Sequence, residues 1–189
     1  AIKEIVKNTN AKTAVVIGGG FIGVEMAENF KHLKDVNTTL VELSSHILPP
    51  VDKETAAFAQ NEMRKHGVNL VLSDGVKAFD NDYVVLNSGR KLPYDIAVLA
   101  IGVKPQTSLA RECGLVIGKS GGVKVNEHMQ TSDPDIYAGG DSVEVTDFVT
   151  NADVLIPLAG PANRQGRIIA DNIAGHKSVY KKTIGSAVV

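Results

Sequence analysis

A run of three glycines between an apolar stretch and a helix-like pattern, "AVVIGGGFIGVEMAENF" at 14–30, constrains this chain more than any other feature. The residues before it are β-branched and end at Gly18, which reads as a buried strand. After it, Ile22, Met26, Phe30 and Leu33 recur every three or four positions, as one face of a helix does. Gly18, Gly20 and Gly23 form G-x-G-x-x-G across the junction. The first allows a sharp turn, the second lets a pyrophosphate approach bare backbone, and the third lets helix and strand pack closely. Free N–H groups and the positive end of the helix dipole then face the phosphates.

The motif alone is weak, because glycine clusters also make ordinary turns. Its context is stronger. Glu42 closes the next β-rich run, "TTLVEL", 19 residues after Gly23. A carboxylate there can accept both ribose hydroxyls of an adenosine; the plainer alternative is a solvated glutamate at a strand end. A 2′-phosphate would meet like charge at Glu42, and the following "LSSHIL" offers no arginine. His46 is its only possible cation and is mostly neutral near neutral pH. NADH is therefore expected in preference to NADPH.

The rest of the first hundred residues alternates strands and helices. Asp52 can cap a helix running to about His66, with Gly67 as its left-handed stop. "VNLVL" reads as a third strand, "YVVLNSGRKLPYD" as a hairpin turning at 87–89, and "IAVLAIG" as a final buried strand. This order predicts an α/β fold: a parallel sheet with helices on its faces. The remainder has fewer elements. They are a short helix ending at Gly114, strands at "GGVKVN" and "IYAG", and a helix that starts at Pro161 and ends at Gly175. That is too little for an independent core, and it reads as half a domain.

Composition removes other classes. A formal net charge of −1 gives no long-range pull toward nucleic acid or an anionic membrane. The single cysteine, Cys113, excludes an internal disulfide framework and a cysteine-based zinc site, and the five histidines show no paired ligand spacing. No apolar run has membrane-spanning length. A soluble protein of a reducing, cytoplasmic compartment is expected, with no metal. Ala1 in place of an initiator methionine, and the apolar strand-like end "KKTIGSAVV", predict a piece of a longer protein.

Four segments, "VVIGGGFIGVEMAENF", "AVLAIGVKPQT", "MQTSDPDIYAGGDSVEV" and "IPLAGPANRQGRIIADNIAG", resemble the FAD-dependent pyridine nucleotide-disulfide oxidoreductases. The likeness is greatest to the coenzyme A-disulfide reductase, NADH oxidase and NADH-dependent persulfide reductase branch, and it spans nearly the whole chain. It implies a Rossmann-like, three-layer FAD/NAD(P)-binding fold. Residues 1–101 would be the NADH domain, 102–175 the returning half of an FAD domain, and 176–189 the start of a dimerisation domain. The whole protein would be a homodimer that passes hydride from NADH to FAD, then electrons to a cysteine and a coenzyme A disulfide, persulfide or oxygen.

The resemblance also assigns residues. Gly18, Gly20, Phe21, Ile22, Gly23, Glu25, Glu42 and Gly102 would serve NADH. Glu25 would lie near the nicotinamide, and Phe21 would stand where relatives often carry a tyrosine that covers the flavin. Gly140, Asp141, Leu158 and Ala159 would serve FAD: Asp141 at the ribityl and pyrophosphate region, the Leu158–Ala159 backbone beside the pyrimidine ring. The helix after them would aim its N-terminus at that ring. The redox cysteine and the glycine loop for the FAD adenosine would lie upstream, so the chain alone would bind NADH without FAD or turnover. Cys113 would be a partly buried filler. A ferredoxin or rubredoxin reductase, or a nucleotide-binding module without turnover, remain the alternatives. "GKSGG" at 118–122 fits G-x-S-x-G only formally, since a strand rather than a helix follows it, and it reads as a turn.

Overall fold

The computed structural model describes residues 4, 6, 8, 10–32 and 36–186. The chain divides into two compact units, Ala1–Gly102 and Val103–Val188. Leu33 and the last three residues of the terminal strand expectation lie outside the described residues.

In the first unit, strands β1 (Thr13–Ile17), β2 (Asn37–Val41), β3 (Asn69–Val71) and β7 (Ile96–Leu99) form a sheet of order β3-β2-β1-β7. All its pairings are parallel, with Val15 opposite Thr39 on one side and Ala97 on the other. Helices α1 (Phe21–His32) and α2 (Lys53–Lys65) connect β1 to β2 and β2 to β3. Both crossovers step in the same direction along the sheet, so right-handed connections place both helices on one face. There Val24, Ala27, Phe30 and Met63 bury against Ala14, Val16 and Leu40.

The opposite face corrects the expectation of helices on both sides. It is covered by an antiparallel sheet of β4 (Val76–Phe79), β5 (Tyr83–Leu86) and β6 (Lys91–Pro93). Val84, Leu86 and Leu92 of that sheet meet Val15, Ile17, Val41 and Val71. Successive β1 residues thus point to alternate cores, as a strand of period two buried on both faces must. The expected hairpin is β5–β6, and β4 is an addition to it.

Three further expectations shift. The buried face of α1 is Gly23, Val24, Ala27 and Phe30, while Ile22 is 52% exposed. Small residues at 23 and 27 let the helix approach the sheet, which selects that stripe over 22 and 26. Asp52 does sit at the N-cap of α2, with Gly67 at φ +79° after its end, but the Asp52 side chain makes no capping bond. β7 is half-buried rather than buried, with Leu99 at 60% exposure, because it is an edge strand.

Asp95, just before β7, ties the start of that strand to β1. Its Oδ2 accepts the Lys12 and Thr13 N–H groups and the Thr13 hydroxyl, each at 2.8 Å. These donors hold its carboxyl below the ordinary aspartate value. Asp95→Ala is expected to cost about 1 kcal/mol at neutral pH, solvent competition allowed for. A lowered folded value means the contribution is present above the unfolded value and fades as pH falls through the folded one. Thermal melts of the two proteins should therefore converge in acid; a difference that persists there would overturn this account.

The second unit holds α3 (Ser108–Glu112), β8 (Val123–Lys124), β9 (Val143–Thr146), β10 (Asp153–Val154) and α4 (Ala159–Ile173). β8 runs parallel to β9, and β9 pairs antiparallel with β10. Its core gathers Val123, Met129, Val143, Val145 and Tyr180. "GKSGG" is a turn, closed by Gly118 N–H to Gly122 O at 2.8 Å, with Gly121 at φ +91°. "IYAG" is not a strand: only Tyr137 bridges, to Gln130, since no extended neighbour among the described residues continues the ladder. Cys113 is exposed rather than partly buried, because it closes the one-turn helix α3 on the surface. Helix α4 begins at Ala159, which leaves Pro161 within its first turn, where no N–H is needed.

Candidate functional site

Parallel strands end together, and three predicted positions follow from that. Gly18 follows β1, Glu42 follows β2, and Gly102 lies three residues past β7, all at the carboxyl end of the sheet. In open α/β sheets this end carries the ligand crevice.

The three glycines of the motif are held for different reasons. Gly18 has φ +103°, and a Cβ there would collide with the Ala100 carbonyl. A Cβ on Gly23 would strike the carbonyl oxygen of Gly18. A Cβ on Gly20 would meet nothing within 4 Å. The first and third are thus required by packing, whereas Gly20 borders open space that a ligand can occupy. This is a cradle that fits a pyrophosphate. Gly102, at φ +102°, also opens onto free space.

Glu42 is no solvated strand-end glutamate. It is 8% exposed, and its carboxylate bridges two loops: Oε2 accepts the Gly19 N–H at 2.5 Å and Oε1 the Ser44 N–H at 2.7 Å. Burial pushes its pKa up, but the Ser44 and Gly19 N–H groups outweigh it and hold the carboxyl below its ordinary value. Two oxygens carry about four acceptor positions, so capacity for ribose hydroxyls remains. The Leu48 N–H donates to the Gly19 carbonyl at 2.7 Å, which fastens the glycine loop to the 43–48 segment a second time. Gly19 was absent from the expected set. Its Cβ would meet Glu42 Oε2 and Ile47 Cγ2, each at 3.1 Å, and the unbroken run of three glycines was the available signal.

The other positions of this unit are more loosely placed. Phe21 opens α1 and is half-buried against the helix-side core; Ile22 and Glu25 are exposed on the same helix. His46 sits half-buried with Nδ1 2.9 Å from the Ile47 carbonyl.

Gly140, Asp141, Leu158 and Ala159 belong to the second unit. Gly140 (φ +81°) starts a single 3₁₀ turn, Gly140–Ser142, with Asp141 exposed in it. Leu158 is the N-cap residue of α4 and offers no side-chain cap, so the first N–H groups of the helix stay open. A Cβ on Gly160 would meet nothing within 4 Å. The turn faces this helix, since a Cβ on Gly140 would lie 4.0 Å from Ala162 Cβ. Bare backbone and an uncapped helix start on adjoining elements fit a second phosphate-bearing ligand, and the Asp141 side chain beside them can accept from its hydroxyls.

The chain matches the pyridine nucleotide-disulphide oxidoreductase family over residues 2–166. It belongs to that family. A NADH oxidase of Methanocaldococcus jannaschii is 35% identical over the whole chain and over 42% of its own length. The reduced CoADR-RHD structure of Bacillus anthracis is 50% identical, with TM-score 0.95, over 98% of this chain and 34% of that one. A NAD-dependent persulfide reductase from A. fulgidus is 41% identical, also with TM-score 0.95, over 98% and 35% of the two chains. These likenesses show the Rossmann-like α/β fold of the family. The chain spans about two fifths of the length of the curated relative. Among the described residues no helix is long and apolar enough to cross a membrane.

Proposed function

We propose that this chain supplies the NADH domain (1–101) and the returning half of the FAD domain (102–175) of a flavin-dependent NADH oxidoreductase, with 176–189 opening a dimerisation domain. The observation that carries the reading is the glycine loop: packing dictates Gly18 and Gly23, while Gly20 is bare and faces open space. Gly18, Gly20 and Gly23 would shape the seat of the NADH pyrophosphate, with Phe21 and Ile22 continuing its helix wall. Glu42 would orient the adenosine ribose, Gly102 would let the backbone pass the nucleotide, and Glu25 would lie toward the nicotinamide.

In the second unit, Gly140 and Asp141 would hold the ribityl and pyrophosphate part of FAD. Leu158, Ala159 and the open N–H groups of α4 would sit at the flavin ring, where a helix start favours negative charge. When bound, FAD supplies the two-electron relay between NADH and the acceptor. The acceptor is a coenzyme A disulfide, a persulfide or oxygen, in keeping with relatives named coenzyme A disulfide reductase, persulfide reductase and NADH oxidase. A cytoplasmic homodimer is the setting we assign to the whole protein.

The test uses that whole protein. Mixed with NADH without oxygen, its flavin should lose its visible absorbance, and half-saturation should need about 10-fold less NADH than NADPH, one charged hydrogen bond's worth. Equal use of the two nucleotides would remove the ribose role from Glu42. No bleaching by either would overturn the function.

A further inference from the structure

Gln165 is a polar residue where α4 should be apolar. It lies among the most deeply buried side chains, at 2% exposure, on the helix face that also carries Ala162 and Ile169. This face meets the "AGGD" turn. A Cβ on Gly139 would lie 2.8 Å from Ile169 Cδ1 and 3.5 Å from Gln165 Cβ. The Gln165 amide makes one defined bond there: its Oε1 accepts the Gly140 N–H at 2.7 Å. An N–H can meet only the oxygen end of an amide, so the side chain is fixed in one orientation.

Gly140 needs this support. Its φ of +81° is a conformation that a glycine visits freely, and its carbonyl closes the 3₁₀ turn through Val143 N–H. Asp141 follows directly, and its side chain makes no hydrogen bond to the other described residues that would hold it in place. A half-buried N–H that loses its acceptor regains only part of its hydration, so the bond to Gln165 favours this turn geometry. The same helix starts at Ala159, fewer than two turns before Gln165.

We propose that Gln165 is a positioning residue for the FAD half-site: its bond to Gly140 N–H locks Asp141 in register with the start of α4. The proposal rests on the reading above that Asp141 and the α4 start face FAD. Gln165→Leu keeps the volume and removes the acceptor. Gln165→Glu keeps an oxygen acceptor whether the carboxyl is ionised or protonated.

The measurement is made on the whole flavoprotein, by deuterium uptake over 138–142 and by FAD and NADH dissociation constants. For Q165L we expect faster uptake in that segment and FAD held about 10-fold more weakly, with NADH affinity unchanged. Q165E should restore both readings toward wild type. If Q165L does not fold, Gln165→Met, with an unbranched chain of similar volume, takes its place. Unchanged FAD affinity in the apolar variant, while Asp141→Ala releases FAD, would overturn the positioning role alone. Unchanged FAD affinity in both would overturn the FAD reading of the turn. A Q165E protein that loses FAD as Q165L does would show that the oxygen acceptor toward Gly140 N–H is not what holds the turn, and would overturn the proposal as well.

Discussion

Gly20→Val is expected to give a folded protein that no longer binds NADH. The two halves of that result come from different observations. Nothing lies within 4 Å of a Cβ at this position, and Gly20 is not among the glycines with positive φ, so the protein itself has room for a side chain. The melting temperature should stay close to wild type. The open space is the place assigned to the pyrophosphate, and the new methyl groups would fill it. Losing two or more N–H bonds to a charged phosphate should weaken NADH by at least ~100-fold. Gly23→Val is the contrasting control. Its Cβ collides with the Gly18 carbonyl, so the loop or the helix must move, at a stability cost of about 3 kcal/mol or more. Calorimetric titration beside a thermal melt separates the two. A folded Gly20→Val protein with unchanged affinity would mean that the loop does not hold phosphate.

The parts of this architecture that the sequence discloses are those where one local rule suffices. β1 is a short β-branched run ended by glycine, and α2 lies between Asp52 and Gly67. β4 escaped because only Val76 of its four residues is even half-buried, so no alternation marks it. β9 escaped because its Glu144 is buried and breaks the apolar pattern. That polar side chain is accommodated at long range, by the Ser120 N–H at 2.8 Å and the Ser120 hydroxyl at 2.6 Å. A partner 24 residues away leaves no trace in the local pattern. "IYAG" shows the reverse failure, since strand propensity without a ladder partner yields only a bridge.

The glycine motif was legible for the same reason as β1: its spacing is local. The dual engagement of Glu42 was not, because it depends on where the 43–48 segment returns. Gln165 was hidden for a third reason. A glutamine in a helix is read as solvated, and only the contact with Gly140 reveals that it faces inward.

Glu42 carries the second large effect. Its carboxylate satisfies the Gly19 and Ser44 N–H groups before any ligand arrives, so removing it injures the loop as well as the ribose contact. Glu42→Ala should cost about 2 kcal/mol of stability, the penalty for two N–H groups left without their charged acceptor. It should also weaken NADH binding by more than NADPH binding, since the like-charge barrier to a 2′-phosphate disappears with it. Glu42→Gln keeps one acceptor oxygen but turns an NH₂ toward the second N–H, so it should fall between alanine and wild type. The pH dependence has a definite sign. The two amides hold the folded carboxyl below its ordinary value against the opposing effect of burial. Its contribution is therefore complete above the unfolded value of about 4.3 and is lost as pH falls through the lower folded value. Asp74, Asp95 and Asp147 are lowered too and lose their contributions in the same acidic range. The difference between wild type and Glu42→Gln isolates this one group. Denaturant titrations should show a gap at neutral pH that closes in strong acid. A gap that widens on acidification would mean that the buried carboxyl is neutral in the folded protein, and the charge argument for NADH over NADPH would fall with it.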